Sequence, residues 1–310
     1  MSLQVRVRSA TWEAPGIVSY ELRAVNGGEL PAFSAGAHID LTLPSGMVRS
    51  YSLTNPQSER HRYAIAVQKD RASRGGSKWI HDNLRPGDVI GISEPRNNFA
   101  LDESAARSLF IAGGIGITPI VCMTERLTAV SRPWELIYCA RTRELAAFAD
   151  RLAGNVRFNF DEEPGGKMLD IAATVRAAPA NAHLYCCGPL PMLEAFEKAT
   201  AELPRERVHV EYFTAREPPA AEGGFTVVLA ASGREIAVPP GKTILEALFD
   251  AGIEPASSCR EGVCGTCETR VLEGIPEHRD LVLTEAERSS GKTMMICCSG
   301  AKSDRLVLDL

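Results

Sequence analysis

The 310-residue chain has no run of 18 or more apolar residues, so it offers no transmembrane helix. Its first residues, Met-Ser-Leu-Gln-Val-Arg-Val-Arg, lack the apolar core of a secretion signal, and a cytoplasmic location is expected. There is no basic excess: 34 Lys and Arg face 39 Asp and Glu, which weighs against nucleic acid as a partner. Internal repeats and low-complexity tracts are also missing. What is present is ordinary globular material, 45% hydrophobic and 24% charged, with length enough for two or three domains that each bury a core.

The net charge of −5 is unevenly spread. Residues 222–310 hold nine Lys and Arg against fourteen Asp and Glu, and the remainder of the chain is balanced. An acidic C-terminal segment suits docking to a basic protein, or simply solubility. There are nine cysteines, an odd number with no secretion signal, which points to reduced thiols rather than a disulfide framework. Cys122, Cys139, Cys186 and Cys187 sit in apolar runs, whereas Cys259, Cys264, Cys267, Cys297 and Cys298 crowd into the last 52 residues.

Along residues 3–100, short alternating or apolar runs occur at Gln4–Trp12, Ile17–Ala24, His38–Leu43, Val48–Leu53, Tyr63–Gln68 and Val89–Ser93. Gly and Pro punctuate them, and one helical stretch, Ser77–Leu84, breaks the series. This pattern predicts a small antiparallel β-barrel. Residues 107–213 alternate strand and helix: Ser108–Ala112, a glycine turn and a helix through Leu127; Glu135–Ala140 and a helix near Glu144–Leu152; His183–Cys187 and a helix at Pro191–Ala201. That order predicts a parallel sheet covered by helices. A Pro/Gly/Ala-rich stretch, 215–224, reads as a linker. Beyond it, Phe225–Ala230 and Glu235–Val238 form a hairpin, and Thr243 caps a helix over Ile244–Ala251. The expected domains are 1–101, 102–215 and 225–310, joined by 216–224.

Cys259-x4-Cys264-x2-Cys267, followed after 29 intervening residues by Cys297, is the plant-type [2Fe–2S] spacing. Three thiolates come from one tight loop and the fourth from a distant strand. Gly262 and Gly265 let the loop curl so that N–H groups approach sulfur. A zinc site usually needs a second C-x2-C pair, and none exists. By spacing alone, the fourth ligand is either Cys297 or Cys298; one residue of offset in a strand reverses the side chain, so one of them faces the cluster. The run Leu109-Phe-Ile-Ala-Gly-Gly-Ile-Gly-Ile-Thr-Pro119 predicts a strand, a glycine turn and a helix N-capped by Thr118, a place for pyrophosphate. Gly113, Gly114 and Gly116 are expected to let that ligand approach the backbone. Tyr185-Cys-Cys-Gly-Pro189 ends the third strand, where ligands of open α/β sheets bind.

Arg49-Ser-Tyr-Ser-Leu-Thr-Asn55 resembles the flavin-binding R-x-Y-S motif of the ferredoxin–NADP reductase superfamily, and Gly113–Pro119 and Cys187-Gly-Pro189 resemble its nicotinamide-nucleotide motifs. With the C-terminal ferredoxin-like segment, the whole chain resembles the phthalate dioxygenase reductase and vanillate O-demethylase reductase family. That resemblance implies an antiparallel flavin barrel, an α/β nucleotide domain and a β-grasp ferredoxin domain. It implies that Arg49, Ser50, Tyr51, Ser52, Val67, Arg74, Gly75, Gly76 and Ser77 hold FMN, with FAD the alternative. Ser52 would sit near the flavin atom that accepts hydride, and Cys187 beside the nicotinamide. Gly113, Gly114, Gly116, Thr118, Cys187, Gly188 and Pro189 would meet NADH, although Arg141 and Arg143 leave NADPH open. Phe213 would cover the flavin ring. Cys259, Cys264, Cys267 and Cys297 would ligate the cluster.

The implied activity is an NADH-dependent flavin iron–sulfur oxidoreductase. A hydride carries two electrons, a [2Fe–2S] centre accepts one, and a flavin between them handles both. The implied partner is a Rieske-type terminal oxygenase or demethylase acting on an aromatic compound, served by a monomeric reductase with no nucleic acid or membrane partner. The alternatives are a stand-alone flavin reductase or diaphorase, and a non-catalytic iron–sulfur redox sensor.

Overall fold

A computed structural model describes residues 3–70, 75–213 and 219–310. The chain divides into two compact units, Met1–Glu211 and Tyr212–Leu310. The first contains two sheets.

The six predicted runs become β1 (Leu3–Ala14), β2 (Ile17–Ala24), β3 (His38–Thr42), β4 (Val48–Ser52), β5 (Tyr63–Gln68) and β6 (Val89–Ile92), with α1 (Gly76–Asn83) before the last. They form an antiparallel sheet ordered β4-β3-β6-β1-β2-β5, and a bridge from Leu53 to Ile65 brings its two ends together as a barrel. Alternation explains the core: Val5, Val7, Tyr20, Leu22, Ile39, Leu41, Ile65 and Val67 point inward and are sealed from water.

The second sheet of this unit is parallel throughout. β7 (Arg107–Gly113), α2 (Ile117–Ala129), β8 (Trp134–Ala140), β9 (Val156–Phe160), α3 (Ile171–Ala177), β10 (Ala182–Cys187), α4 (Leu190–Thr200) and β11 (Val208–Glu211) give the strand order β11-β10-β7-β8-β9. The central strands β7 and β10 are largely apolar and buried, whereas the edge strands β9 (VRFNF) and β11 (VHVE) alternate apolar and polar residues. The helix expected near Glu144–Leu152 is absent. Two short 3-10 turns, Arg143–Leu145 and Ala149–Arg151, stand there, separated by Phe148 at φ 61°. A bulky residue held at positive φ stops helical propagation.

The second unit contains β12 (Phe225–Leu229), β13 (Glu235–Val238), α5 (Ile244–Asp250), β14 (Glu268–Glu273), β15 (Pro276–Glu277), α6 (Glu285–Ser290), β16 (Thr293–Met295), β17 (Gly300–Ala301) and β18 (Arg305–Leu308). Its main sheet runs β13-β12-β18-β14-β16, with β12 and β18 parallel at the centre and α5 packed against it, the β-grasp arrangement. Both α5 and α6 open with capping boxes, Thr243 with Glu246 and Thr284 with Glu287. Residues 219–224 are laid onto this unit: the Ala220 N–H donates to Cys298 O, and Glu222 pairs with Arg279 at 2.7 Å.

Candidate functional site

Arg49, Ser50, Tyr51 and Ser52 lie in line on β4. Strand alternation gives Arg49 and Tyr51 one face and Ser50 and Ser52 the other. Ser50 is tied into the barrel, its hydroxyl donating to Asp40 Oδ1 at 2.6 Å. Tyr51 packs on the barrel core, and burial pushes its phenol well above the usual range. Ser52 is buried and Val67 sits inside the barrel wall.

The Arg49 side chain crosses the start of α1. A Cβ on Gly76 would lie 2.6 Å from Arg49 Nε and 2.8 Å from its Cγ, so any side chain there would push Arg49 aside. Gly75, at φ 100°, turns the chain into α1 as its N-cap without supplying a side-chain cap bond. First-turn N–H groups, the helix dipole and a guanidinium therefore share one spot, which suits a phosphate. Ser77 Oγ accepts the Asp70 N–H at 3.2 Å and keeps its own proton free to donate. Arg74 lies outside the described residues.

In the parallel sheet, the turns after β7 and β10 interlock. A Cβ on Gly116 would sit 2.2 Å from Cys187 O, one on Gly113 would meet Pro189 Cδ at 2.6 Å, and one on Gly188 would meet Met192 Sδ at 2.7 Å. Close turn-on-turn packing is thus one reason these three positions are glycine. Gly114 alone of the set has φ 53° and open space where a side chain would stand. The Tyr138 hydroxyl holds that turn, reaching Gly114 O at 3.3 Å and Ala147 O at 3.2 Å. Thr118 is not the N-cap. Helix α2 begins two residues earlier than expected, at Ile117 with Gly116 as its N-cap, and the Thr118 hydroxyl donates back to Ile115 O at 3.0 Å.

Sequence reasoning missed Glu211. It stands opposite Cys187 in the β10–β11 register, at the carboxyl edge of the sheet. Its Oε2 is buried without a hydrogen-bond partner, and burial pushes the carboxyl up to about 8. Burial, with Glu211 next in effect, also drives the Cys187 thiol upward, so this thiol stays protonated. The segment Glu211-Tyr-Phe213 held the signal, but only its aromatic end was read. Phe213 belongs to the second unit and is 37% exposed.

In the second unit, Cys259, Cys264, Cys267 and Cys297 converge under a curled loop. The Cys259 thiol is held below its ordinary value by contact with Cys264 and then Cys297, assisted by the N–H groups of Glu261 and Val263. Cys267 is lowered chiefly by Cys297, whose own thiol is raised by Cys259 first and Cys267 next. The Cys264 thiol is in turn raised, chiefly by Cys259, so the four thiols interact as one group. Gly262 and Gly265 adopt φ 70° and 75°, the curl that L side chains resist. Cys298 points to the back of the loop: a Cβ on Gly262 would meet its Sγ at 2.4 Å, and the thiol lies 3.8 Å from Met295 O. Among the described residues no three His, Cys, Asp or Glu side chains close on a single metal ion. A two-iron cluster spreads its four thiolates more widely, two to each iron.

Residues 227–302 match the family model described as a 2Fe-2S iron-sulfur cluster binding domain. The chain is 54% identical to phenoxybenzoate dioxygenase subunit beta of Ectopseudomonas oleovorans, over 99% of this chain and 97% of that one. It is 51% identical to tetrachlorobenzoquinone reductase of Sphingobium chlorophenolicum, over 100% and 98%. The solved structure of phthalate dioxygenase reductase, described as a modular structure for electron transfer from pyridine nucleotides to [2Fe–2S], aligns at TM-score 0.77 and 39% identity, covering 100% of this chain and 98% of that one.

Proposed function

The chain belongs to the phthalate dioxygenase reductase family of oxygenase reductases, and on that footing we propose that it moves electrons from NADH through FMN and a [2Fe–2S] cluster to a Rieske-type terminal oxygenase acting on an aromatic compound. It is an oxidoreductase with an iron–sulfur electron-transfer domain at its C-terminal end. In this reading residues 1–101 hold the flavin, 102–215 the nucleotide and 225–310 the cluster, with 216–224 between them, in a cytoplasmic monomer.

The observation that carries the proposal is the four-thiol loop on the same chain as an Arg49–Gly76 phosphate cradle. When bound, a flavin exchanges a hydride for single electrons, which an iron–sulfur cluster then relays. The protein's residues bind and orient. Arg49 and the first-turn N–H groups of α1 fix the flavin phosphate. Tyr51 supplies a flat apolar wall, and Ser52 a hydroxyl at the reacting edge. Cys187, fully buried, and Glu211, whose Oε2 is sealed, both carrying protons, form a floor for the nicotinamide. Cys259, Cys264, Cys267 and Cys297 hold the irons. The connection from β5 to α1 is seven residues, short for an adenine platform, which supports FMN over FAD.

NADH is favoured by the charges beyond β8 and β9. Arg143 is engaged, its N–H donating to Glu163 Oε1 at 2.7 Å and its guanidinium lying 4.9 Å over the Phe160 ring. Asp161, Glu162 and Glu163 follow β9 directly and repel a 2′-phosphate.

A second reading, a quinone reductase, is favoured by the identity to tetrachlorobenzoquinone reductase. Replacing Cys297 by Ser separates the two. If electrons leave through the cluster, cytochrome c reduction collapses while ferricyanide reduction persists. Quinone reduction directly from the flavin would survive the substitution unchanged.

A further inference from the structure

Four of the buried polar atoms left without hydrogen-bond partners among the described residues fall in one place: His278 Nδ1 and Nε2, Asp280 Oδ1 and Arg288 Nε. A cluster of unsatisfied groups in one pocket calls for a physical role, because each costs free energy when left alone. The pocket lies behind the loop that carries Cys259, Cys264 and Cys267. Asp280 packs on that loop: a Cβ on Gly262 would stand 3.0 Å from Asp280 Cα, and Gly262 O accepts the Leu281 N–H at 2.8 Å. His278 follows β15, where Glu277 pairs with Gly300, three residues past Cys297. The next N–H in the chain, that of Arg279, donates to Ser299 Oγ at 3.3 Å.

Asp280 has no exposed side-chain surface. One of its oxygens, Oδ2, accepts the N–H groups of Val282 and Leu283 at 3.1 and 2.8 Å, and Arg288 Nη2 lies 3.7 Å from it. The Arg288 guanidinium also donates to the Asp280 carbonyl. These donors suit a carboxylate. The other oxygen, Oδ1, faces His278 Nδ1 across 3.7 Å, a gap that a sub-ångström adjustment converts into a hydrogen bond.

We propose that His278, facing Asp280, is the proton site that compensates the electron arriving at the cluster. The inference rests on the [2Fe–2S] reading above. In the oxidised protein the imidazole is neutral. Burial is the largest influence on it and lowers its proton affinity; Asp280 and the Arg288 backbone oppose that effect, while the charges of Arg288 and Lys302 add to it. An electron delivered from NADH adds one negative charge behind Gly262. The field draws one proton from solvent onto the ring, forming an N–H bond, and the imidazolium closes onto Asp280 Oδ1. One electron and one proton enter together, so the net charge of the pocket does not change. The side chain keeps 10% of its surface exposed while its ring nitrogens are buried, so a proton from solvent has a short path to the ring.

The test is the midpoint potential of the cluster in the full-length holoprotein, followed by EPR during redox titration from pH 5.5 to 9. The proposal expects the potential to fall as pH rises, approaching ~59 mV per unit for one electron and one proton, a tenfold change per unit. His278→Asn should flatten the curve while leaving the cluster spectrum intact. Asp280→Asn keeps the histidine but removes its anion, and should move the sloping range to lower pH. A potential independent of pH in the unmodified protein overturns the proposal, and so does a slope that survives His278→Asn. Should that variant fail to accumulate, an unshifted range in Asp280→Asn overturns it instead. A chain that carries no cluster absorbance would fail the cofactor reading itself, a separate outcome.

Discussion

The turns at the carboxyl edge of the parallel sheet and the cysteine loop of the β-grasp unit both contain glycines, yet they are built on different principles. Gly113, Gly116 and Gly188 are there for space, since a side chain on any of them would strike the facing turn. The cysteine loop is built from donors and charge. Its glycines bend the backbone so that N–H groups reach Cys259, and behind it lie Asp280, Arg288 and His278. The buried acids show the same division. Each has one partnerless oxygen, but only Asp280 also collects two N–H groups and a nearby guanidinium on its other oxygen. A site for a nucleotide that comes and goes needs an empty, shaped wall. A site for a permanently held cluster can invest in fixed electrostatics.

The sharpest way to break this contrast is in the cysteines. Cys297→Ser should abolish the [2Fe–2S] spectrum almost entirely, while Cys298→Ser, on the back of the loop, should keep most of it. Equal loss in both would erase the distinction between front and back. Next in size is the flavin cradle. Arg49→Ala removes a charge-assisted pair worth about 1.5–3 kcal/mol, so flavin affinity measured by equilibrium dialysis should weaken by roughly 10–100-fold.

The role of space is tested by two alanines. Gly116→Ala drives a methyl against Cys187 O and should cost about 1–3 kcal/mol or more in urea denaturation. Gly114→Ala meets open space and pays only for its positive φ, about 1 kcal/mol. Similar losses in both would mean that the turns do not interlock.

A pH-dependent effect concerns Glu211 and has a defined sign. Its carboxyl is raised to about 8 in the folded protein, above the value near 4.5 of the unfolded chain. Its contribution is therefore fully present below about pH 4.5 and is lost as pH rises toward 8. Relative to Glu211→Gln, the unmodified protein should lose up to about 1.4 kcal/mol of stability per pH unit across that window. Parallel stability curves for the two proteins would show that Glu211 titrates normally.

Much of the fold was legible because its signals are local. Gly and Pro separated the six barrel strands, the glycine turn marked β7 and α2, and cysteine spacing marked the cluster loop. What escaped had weak local signals. β9 and β11 are short edge strands whose place is decided by pairing with β8 and β10. The stretch over residues 144–152 has helical composition, but the left-handed Phe148 divides it. Thr118 looked like a cap because its hydroxyl stands just before Pro119, but the helix starts two residues earlier, at Ile117. Glu211 and the His278–Asp280 pair were invisible because burial without a partner is a property of three-dimensional packing, not of spacing.

The central claim is that electrons from NADH reach the iron–sulfur centre within this one chain. It is tested most directly by mixing the anaerobic purified protein with NADH while recording the visible and EPR spectra. The account predicts bleaching of flavin absorbance together with the EPR signal of a reduced [2Fe–2S] cluster, and a much weaker response to NADPH. Bleached flavin beside a cluster that stays oxidised, or no response to either nucleotide, would contradict it.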